Sequence, residues 1–408
     1  MPFRRSERPT ARNCVSYSDM SRTHYSTSVF LGSTAFVFLN FGLPIRADDL
    51  GWNAMEIGGM YTVFMGTMLL VRPLVGVCLD RFGRRWFFTA AFVFYTLAMS
   101  LLSVSEDLQG FYLARCLQGI GASLMWVSVR TIIADTFARD ELGVAMGRLT
   151  TTSVRGSMLG GFYGFTLLGF LPMSQAWAPA FAGYAVMAFL ALVWSLLRVR
   201  EPHRDVEVAP SPGESWFSLD LARIFFIVFI SGFASALIEP IYLIYLKNKF
   251  DAGALLLAWV FLPAGVVFAI LPRYAGAWSD RFGRGRVIAL GVAFAGLVSL
   301  ALPFWPHLLL VAVSYLLFSA GWAMASPAED ALVADLAPAD SRGRVIGTKE
   351  AAAGVGAALG PLVGGALYDN VAAWSAFVLN GALLLTAAVL AVIWFDRVSG
   401  TGDKTGDS

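Results

Sequence analysis

The sequence predicts an all-α membrane protein with about twelve transmembrane helices in two similar six-helix bundles. Of its 408 residues, 57% are hydrophobic and 14% charged, and the mean hydropathy is +0.66. A soluble domain carries about 25% charged residues, so this composition is typical of a chain embedded in lipid. About twelve apolar stretches have the length of about 20 residues that a spanning helix needs. A charged turn between two of them also recurs halfway along the chain.

The recurring turn combines two glycines, an aspartate and two arginines, at an offset of 280 − 80 = 200 residues. Its two copies contain Gly76, Asp80, Arg81, Gly83 and Arg84, and Gly276, Asp280, Arg281, Gly283 and Arg284. The same offset relates Asp135 to Asp335 and Gly121 to Gly321. A chain that repeats in this way is built from two similar halves, and an even number of spans gives both halves the same orientation.

The spans divide the chain into five regions. We predict a tail at 1–25, a six-helix bundle at 26–199, a polar linker at 200–219, a second bundle at 220–396 and a tail at 397–408. The predicted spans lie near 26–45, 54–74, 87–104, 109–133, 146–170, 177–197, 221–246, 253–275, 287–303, 307–333, 345–367 and 373–395. Either Met1 or Met20 is the start.

Lysine and arginine in the short loops predict the orientation in the membrane. The first tail, the linker and both turns carry many arginines, as do Arg139, Arg148, Arg342 and Arg344. The loops at 103–108, 171–178 and 303–307 carry none. We therefore expect both termini and both turns in the cytosol. High Ala, Gly and Arg with little Lys is typical of a GC-rich bacterial source, which indicates the inner membrane.

Several classes of function lack support. Three scattered cysteines and three distant histidines indicate neither a disulfide framework nor a metal site. No Gly-rich phosphate loop ending in Lys-Ser/Thr is present, so ATP drive is not supported. No catalytic constellation stands out, so we predict no enzyme and no cofactor. The expected partners are a small-molecule substrate and the lipid bilayer, not nucleic acid, and we expect a monomer.

The doubled turn, Gly-x-x-x-Asp-Arg-x-Gly-Arg between the second and third spans of each half, resembles the major facilitator superfamily. The segment Arg115-Cys-Leu-Gln118-Gly119-Ile-Gly121 resembles the family's fourth-helix motif, which is often seen in proton-coupled members. The resemblance covers the chain from about residue 25. It implies two bundles that rock about a central cavity and expose it to each side in turn.

The resemblance implies that the turns form a cytosolic gate. Asp80 is expected at the start of the eleventh span near 343–347, and Asp280 at the start of the fifth near 143–147. Acidic groups are stabilised at helix N-termini. Arg81 and Arg84 are expected to pair with Asp135, and their repeats with Asp335. Alternatively, the arginines only hold the loops in the cytosol.

Glycines at every fourth position of the fifth and eleventh spans allow close helix contact. They are Gly156, Gly160, Gly164, Gly356, Gly360 and Gly364, with Pro361 beside them. Antiporter-type exporters of the family carry Gly-x-x-x-Gly-Pro-x-x-Gly-Gly on the fifth span. Here that string is complete only on the eleventh, since Gly161 and Phe165 interrupt it on the fifth. This departure weakens the inference of export.

Ionisable residues within spans cost about 2.5–3.5 kcal/mol at mid-helix on insertion scales, so they indicate function. Arg115 and Gln118 are expected to couple protonation to substrate, and Arg115 and Arg155 to make the cavity's N-terminal half basic. Both arginines could instead be internal ion-pair members. Glu239, in the seventh span, is the expected proton carrier. Neither arginine shares its half, so we expect no fixed cation beside it, although a permanently neutral Glu239 is the alternative.

The remaining site residues follow from their positions on the spans. Arg130, Glu329 and Asp330 near the cytosolic ends of spans four and ten are gate candidates, or they snorkel to the interface. If only spans one, four, seven and ten line the cavity, as in the family, the cavity residues are Asn40, Trp126, Tyr242 and Trp322.

The combined prediction is proton-coupled export of a small organic molecule, with the basic N-terminal half favouring anionic or zwitterionic cargo. One alternative is a proton-driven importer of an organic anion that uses the same residues. A different class is a membrane receptor or scaffold that keeps the fold and transports nothing. The intact turns in both halves argue against this last class.

Overall fold

The computed structural model describes residues 24–137, 142–201, 217–338 and 342–395. Within these ranges the chain is helical and contains no strand. The predicted second tail, most of the first tail and of the linker, and Arg139 lie outside them. We number the long helices α1 to α12.

The first half contains α1 (His24–Asp49), α2 (Ala54–Phe82), α3 (Arg85–Val104), α4 (Leu108–Thr136), α5 (Leu142–Phe170) and α6 (Met173–Arg198). The second contains α7 (Leu219–Phe250), α8 (Ala254–Phe282), α9 (Arg284–Ala301), α10 (Leu308–Leu336), α11 (Arg342–Asn370) and α12 (Ser375–Phe395). Each coincides with one predicted span and extends beyond most of them, because the helices continue past the apolar stretch into polar ends.

The 200-residue repeat extends to the helix ends. Helices α2, α4 and α5 begin and end 200 residues before α8, α10 and α11. The two turns explain part of this agreement. Gly83 and Gly283 have φ of 88° and 95°, a conformation that glycine adopts without a steric penalty. Each of these glycines ends one helix and lets the next begin at once.

Eleven helices of the described ranges are long and apolar enough to cross a membrane. Helix α5 is not among those eleven. Its first half carries Arg148, Arg155 and the run Thr150–Thr152, which lower its hydropathy. The hydroxyls of this run donate to carbonyls one turn earlier in the helix, which reduces the cost of placing them in a span.

The glycine series lies at close helix contacts. A Cβ at Gly160 would be 1.8 Å from the carbonyl oxygen of Thr34 in α1, where the helix is interrupted at 33–35. A Cβ at Gly364 would be 1.9 Å from the oxygen of Leu237 in α7. Helix α5 therefore packs on α1, and α11 packs on α7, at backbone contact.

The two repeated turns lie at the same end of the bundle. We call the end that carries Gly83 and Gly283 the turn side, and the opposite end the far side. Helix α2 runs from the far side to the turn side, and α11 runs the other way. These two helices form the main contact between the halves. A Cβ at Gly58 of α2 would be 2.1 Å from the oxygen of Pro361 in α11.

Candidate functional site

A cavity of about 630 Å³ lies between the halves. Most of its wall comes from α7, α10 and α11 of the second half, with α2 on the opposite side and one residue from α8. Its lining residues are Met68, Arg72, Gly232, Ser235, Ala236, Ile238, Glu239, Tyr242, Phe261, Tyr315, Phe318, Trp322, Ser326, Glu350, Ala353, Gly354 and Ala357. The volume is in the range of sites for small organic molecules.

Aromatic rings form the end of the cavity nearest the far side. The ring of Phe261 lies 5.3 Å from that of Tyr242 and 4.4 Å from that of Tyr315. Phe41 of the first half reaches Phe261 at 6.3 Å, so this cluster joins the two halves. The hydroxyl of Tyr242 and the indole N–H of Trp322 are buried without a partner in the described part of the chain. Both are therefore free to bond a ligand.

Glu239 provides the carboxylate at this end. Its side chain is exposed to the cavity rather than enclosed by protein. Its charge interacts with Arg115 and with the phenols of Tyr61 and Tyr315. Arg115 of the other half thus interacts with Glu239 electrostatically, which the sequence did not predict, although no ion pair joins the two in the described part of the chain.

Arg115 is 1% exposed and lies behind the cavity wall. Its Nη1 donates to Gln118 Oε1 at 2.6 Å, and its Nε donates to the carbonyl of Met60 at 3.3 Å. The guanidinium also lies 5.0 Å from the ring centre of Tyr61 and 4.4 Å from that of Phe64. Such contacts hold a buried cation in place. Arg115 therefore influences Glu239 through its charge, at longer range than an ion pair, and does not line the cavity.

Two charged residues of the cavity were missed by the sequence analysis. Arg72 of α2 and Glu350 of α11 both line it. Each lies within a predicted span, near its turn-side end, so a systematic search for charges within spans would have found them. The prediction that only spans one, four, seven and ten line the cavity is wrong. Helices α2, α8 and α11 contribute because the halves meet along α2 and α11.

On the turn side, both repeated turns contain ion pairs. Arg84 Nε lies 2.9 Å from Asp135 Oδ2, and Arg284 Nε lies 3.0 Å from Asp335 Oδ2. Arg284 also pairs with Asp280 at 2.5 Å. In addition, Glu201 Oε1 accepts a bond from the backbone N–H of Arg84 at 2.6 Å. These contacts hold each turn within its own half, with Glu201 reinforcing only the first.

Among the described residues, Asp280 is exposed and pairs with Arg284 of its own half instead of meeting the start of α5. A Cβ at Gly147 or Gly347 would meet no described atom within 4 Å. The same holds at Gly76 and Gly276 in the turns. The side chain of Asp80 lies outside the described part. Described contacts between the halves thus occur at mid-depth and on the far side, and the molecule is open towards the turn side.

Three further turn-side residues have different surroundings. Arg130 is exposed, with its guanidinium 5.7 Å from the ring centre of Trp126. Asp330 forms an ion pair with Lys349 of α11. Glu329 is only 6% exposed, and its Oε1 has no partner in the described part of the chain. Glu329 therefore does not snorkel to the interface.

The far side is closed by polar contacts between the halves. Lys247 Nζ lies 2.6 Å from Asp48 Oδ2 and 2.5 Å from Asp49 Oδ1. The backbone N–H groups of Ala54 and Met55 donate to the carboxylate of Asp369 at 3.1 and 2.7 Å. A carboxylate at a helix N-terminus is stabilised by its unpaired N–H groups. The end of α11 thus caps the start of α2.

Comparison with known proteins decides the family. The profile of the Major Facilitator Superfamily matches residues 25–222 and 224–407. The chain belongs to the major facilitator superfamily. It is therefore a multi-pass membrane transporter rather than an enzyme.

Curated relatives and a solved structure agree with this family. Multidrug resistance protein 1 of Bacillus subtilis is 26% identical over 367 residues, which are 86% of this chain and 91% of that protein. Multidrug resistance protein MdtG of Enterobacter lignolyticus is 26% identical over 395 residues, 91% of each chain. A bacterial homologue of the human lysosomal transporter Spinster, inward-facing and occupied, has a TM-score of 0.73 at 14% identity, covering 95% of this chain and 96% of that one.

The transporter's cavity contains only part of the residue set expected from the sequence. Glu239, Tyr242 and Trp322 line it. Five expected residues do not: Arg115 and Gln118, which bond each other behind the cavity wall, and three more. Asn40 of α1 accepts a bond from Tyr61 through its backbone carbonyl, Trp126 lies beside Arg130, and Arg155 is exposed on α5. The helix rotations that the tertiary packing imposes turn these three away from the described cavity.

Proposed function

We propose that this major facilitator superfamily transporter exports a small organic molecule in exchange for protons. The names of the curated relatives, multidrug resistance proteins, favour export. The Gly-x-x-x-Gly-Pro-x-x-Gly-Gly string lies on α11 and is interrupted on α5, so it does not add to this support. We place the protein as a monomer in a bacterial inner membrane, with the turn side and both termini in the cytosol.

The observation that carries this proposal is the position of Glu239. Its carboxylate lines a cavity between the halves that is closed on the far side and reached from the turn side. Substrate would enter from the cytosol in this conformation and approach a titratable group. After the halves rock, the same group would face the outside and take up a proton. Proton binding and substrate binding at one carboxylate would then exclude each other.

The proposed cargo is anionic or zwitterionic, as the sequence predicted, but the supporting residues are different ones. Arg115 and Arg155, the residues expected to make the cavity basic, do not line it. Its lining cation is Arg72, and its lining acids are Glu239 and Glu350. A purely anionic molecule would face two carboxylates. The mixed charge favours a zwitterion over a simple anion.

Transport direction is tested in membrane vesicles of both orientations. In everted vesicles, an imposed inward-acidic pH gradient should drive accumulation of a labelled candidate zwitterion. Right-side-out vesicles with an outward-acidic gradient should show no uptake. Uptake by the right-side-out vesicles alone would establish the importer. A panel in which no compound moves in either orientation would favour the receptor or scaffold.

A further inference from the structure

Arg72 is a cation in the cavity wall without a matching carboxylate. Arg72 lies ten residues before the turn-side end of α2 and within its membrane span. Its Nη2 contacts the thioether sulfur of Met68 at 3.3 Å, and no carboxylate of the described residues lies within ion-pair distance of it. A cation in a span is costly unless it is paired or faces a ligand or water pathway.

The neighbourhood of Arg72 has opposite charges on its two sides. Arg130, from the same half, interacts with Arg72 as a like charge. Glu350, from the other half, interacts with it as an opposite charge at longer range than an ion pair. The first-half wall is therefore basic and the second-half wall acidic. An anionic group entering the cavity meets the guanidinium of Arg72 on the first-half side, with Arg130 outside the lining.

The opposite end of the cavity suits a cation. Glu239 lies there with the rings of Tyr242, Phe261 and Tyr315. A carboxylate among aromatic faces attracts an organic cation through both charge and the ring quadrupole. Arg115 shows the same chemistry within the protein, with its guanidinium over two aromatic rings.

The repeat relates these two cation environments. At the offset of 200 residues, Arg115 corresponds to Tyr315, and Tyr61 corresponds to Phe261. In the first half, the guanidinium of Arg115 lies over the rings of Tyr61 and Phe64. In the second half, the corresponding position carries a phenol beside the cavity, so no protein cation takes that place. No described protein cation forms an ion pair with Glu239, so its carboxylate is available to the cationic group of a ligand.

We infer that Arg72 is an anion-binding subsite and that the ligand is an amphipathic zwitterion with a flat aromatic body. Its carboxylate or comparable oxyanion pairs with Arg72, and its cationic group lies at Glu239 among the aromatic rings. Tyr61, which interacts with Glu239, is 72 − 61 = 11 residues from Arg72, about 16 Å along α2. This inference rests on the proposed function, because it assigns the orientation of the exported molecule in the same cavity.

The experiment compares two dyes that differ only in one anionic group. Rhodamine 110 carries a free carboxylate, and rhodamine 123 is its methyl ester. Binding of each to the purified, detergent-solubilised protein is measured by fluorescence polarisation at neutral pH. Wild type should bind rhodamine 110 at least about tenfold more tightly than rhodamine 123, since a charge-assisted contact is worth that much.

Variants of Arg72 test the subsite directly. Arg72→Gln should weaken rhodamine 110 binding by about tenfold and leave rhodamine 123 binding unchanged, which also shows that the variant is folded. Arg72→Lys should restore part of the preference, because lysine keeps the charge without the bidentate geometry. Arg223→Gln is the matched control: this arginine pairs with Asp220 outside the cavity and should leave both affinities unchanged.

Each contrary result has its own meaning. Equal wild-type affinities for the two dyes would overturn the Arg72 subsite and leave the transporter function intact. A loss of both dyes in Arg72→Gln would also overturn it, since Arg72 would then act on the fold of the cavity. If wild type binds neither dye, the assignment of this cavity as the substrate site in the proposed function fails along with the subsite.

Discussion

At the scale of single residues, Glu239 interacts electrostatically with groups from both halves. These are Arg115 and Tyr61 in the first half and Tyr315 in the second. Rocking of the halves must therefore change its surroundings. A group whose environment changes with conformation can bind a proton in one state and release it in the other.

We expect Glu239→Gln to abolish proton-driven transport and to retain exchange of substrate between equal compartments. The amide has nearly the same shape but cannot carry a proton. Driven flux and counterflow are measured in the same proteoliposomes, with Glu106→Gln, an exposed far-side acid, as the control. Full driven flux in Glu239→Gln would remove this residue as carrier and turn attention to the buried Glu329.

Arg115 has a structural as well as an electrostatic role. Replacing it with methionine leaves the side-chain oxygen of Gln118 without its Arg115 donor in a buried site and removes the additional bond to the carbonyl of Met60. We expect Arg115→Met to reduce the free energy of unfolding by about 2–3 kcal/mol. Thermal unfolding in detergent measures this. Arg155→Met, at an exposed position on α5, should leave the unfolding temperature nearly unchanged.

At the scale of helices, close backbone contact holds α5 against α1. At Gly160 the contact leaves no space for a methyl group, whereas at Gly169 of the same helix a Cβ would meet nothing within 4 Å. The two positions have the same residue type and different surroundings. Replacing each glycine by alanine therefore distinguishes the effect of packing on stability from the effect of helix propensity.

We expect Gly160→Ala to lower the unfolding temperature, because the helices must separate to admit the methyl group at a cost of about 1–3 kcal/mol. Gly169→Ala should keep or raise it, since alanine favours the helix by up to about 1 kcal/mol over glycine. Scanning fluorimetry of the two purified variants tests this pair. Equal unfolding temperatures would show that α1 and α5 are not in contact at Gly160.

At the scale of the whole molecule, α2 and α11 hold the halves together through their ends. On the far side, Asp369 at the end of α11 caps the start of α2. The expectation for Asp80, at the end of α2, is the same chemistry at the start of α11 on the turn side. We propose that these two caps alternate. One is made when the molecule opens to the turn side, and the other when it opens to the far side.

Lys247 supplies the ion pairs that favour the present conformation. We expect Lys247→Met to shift the population towards the far-side-open state by roughly fivefold, since partly exposed pairs contribute about 1 kcal/mol. Cysteines at Gly76 and Gly347, in a protein whose native cysteines are replaced by serine, should then cross-link faster. Both positions have room for a side chain.

Lys249→Met is the control for this shift. Lys249 bonds the carbonyl of Pro303 and the hydroxyl of Tyr245, both in its own half. Its loss should therefore leave the cross-linking rate unchanged. A rate in Lys247→Met equal to that in Lys249→Met would show that the ion pairs with Asp48 and Asp49 do not set the conformational balance.

The sequence by itself determined the twelve helices, the two halves and the turns between them. These follow from local properties: apolar length, the charge of the loops, and glycine at Gly83 and Gly283, where the chain must adopt positive φ. The pairing partners of Arg84 and Arg284 were also predictable, since the repeat places Asp135 and Asp335 at matching positions.

Only the tertiary structure decided which residues face the cavity. Asn40 and Trp126 lie on the expected helices and do not line it, whereas Arg72 and Glu350 lie on helices that were not expected to line it. The cap by Asp369 joins residues 315 positions apart in the chain. Such contacts depend on the rotation of each helix and on the relative position of the halves. Packing of the whole bundle sets both, and local sequence does not encode them.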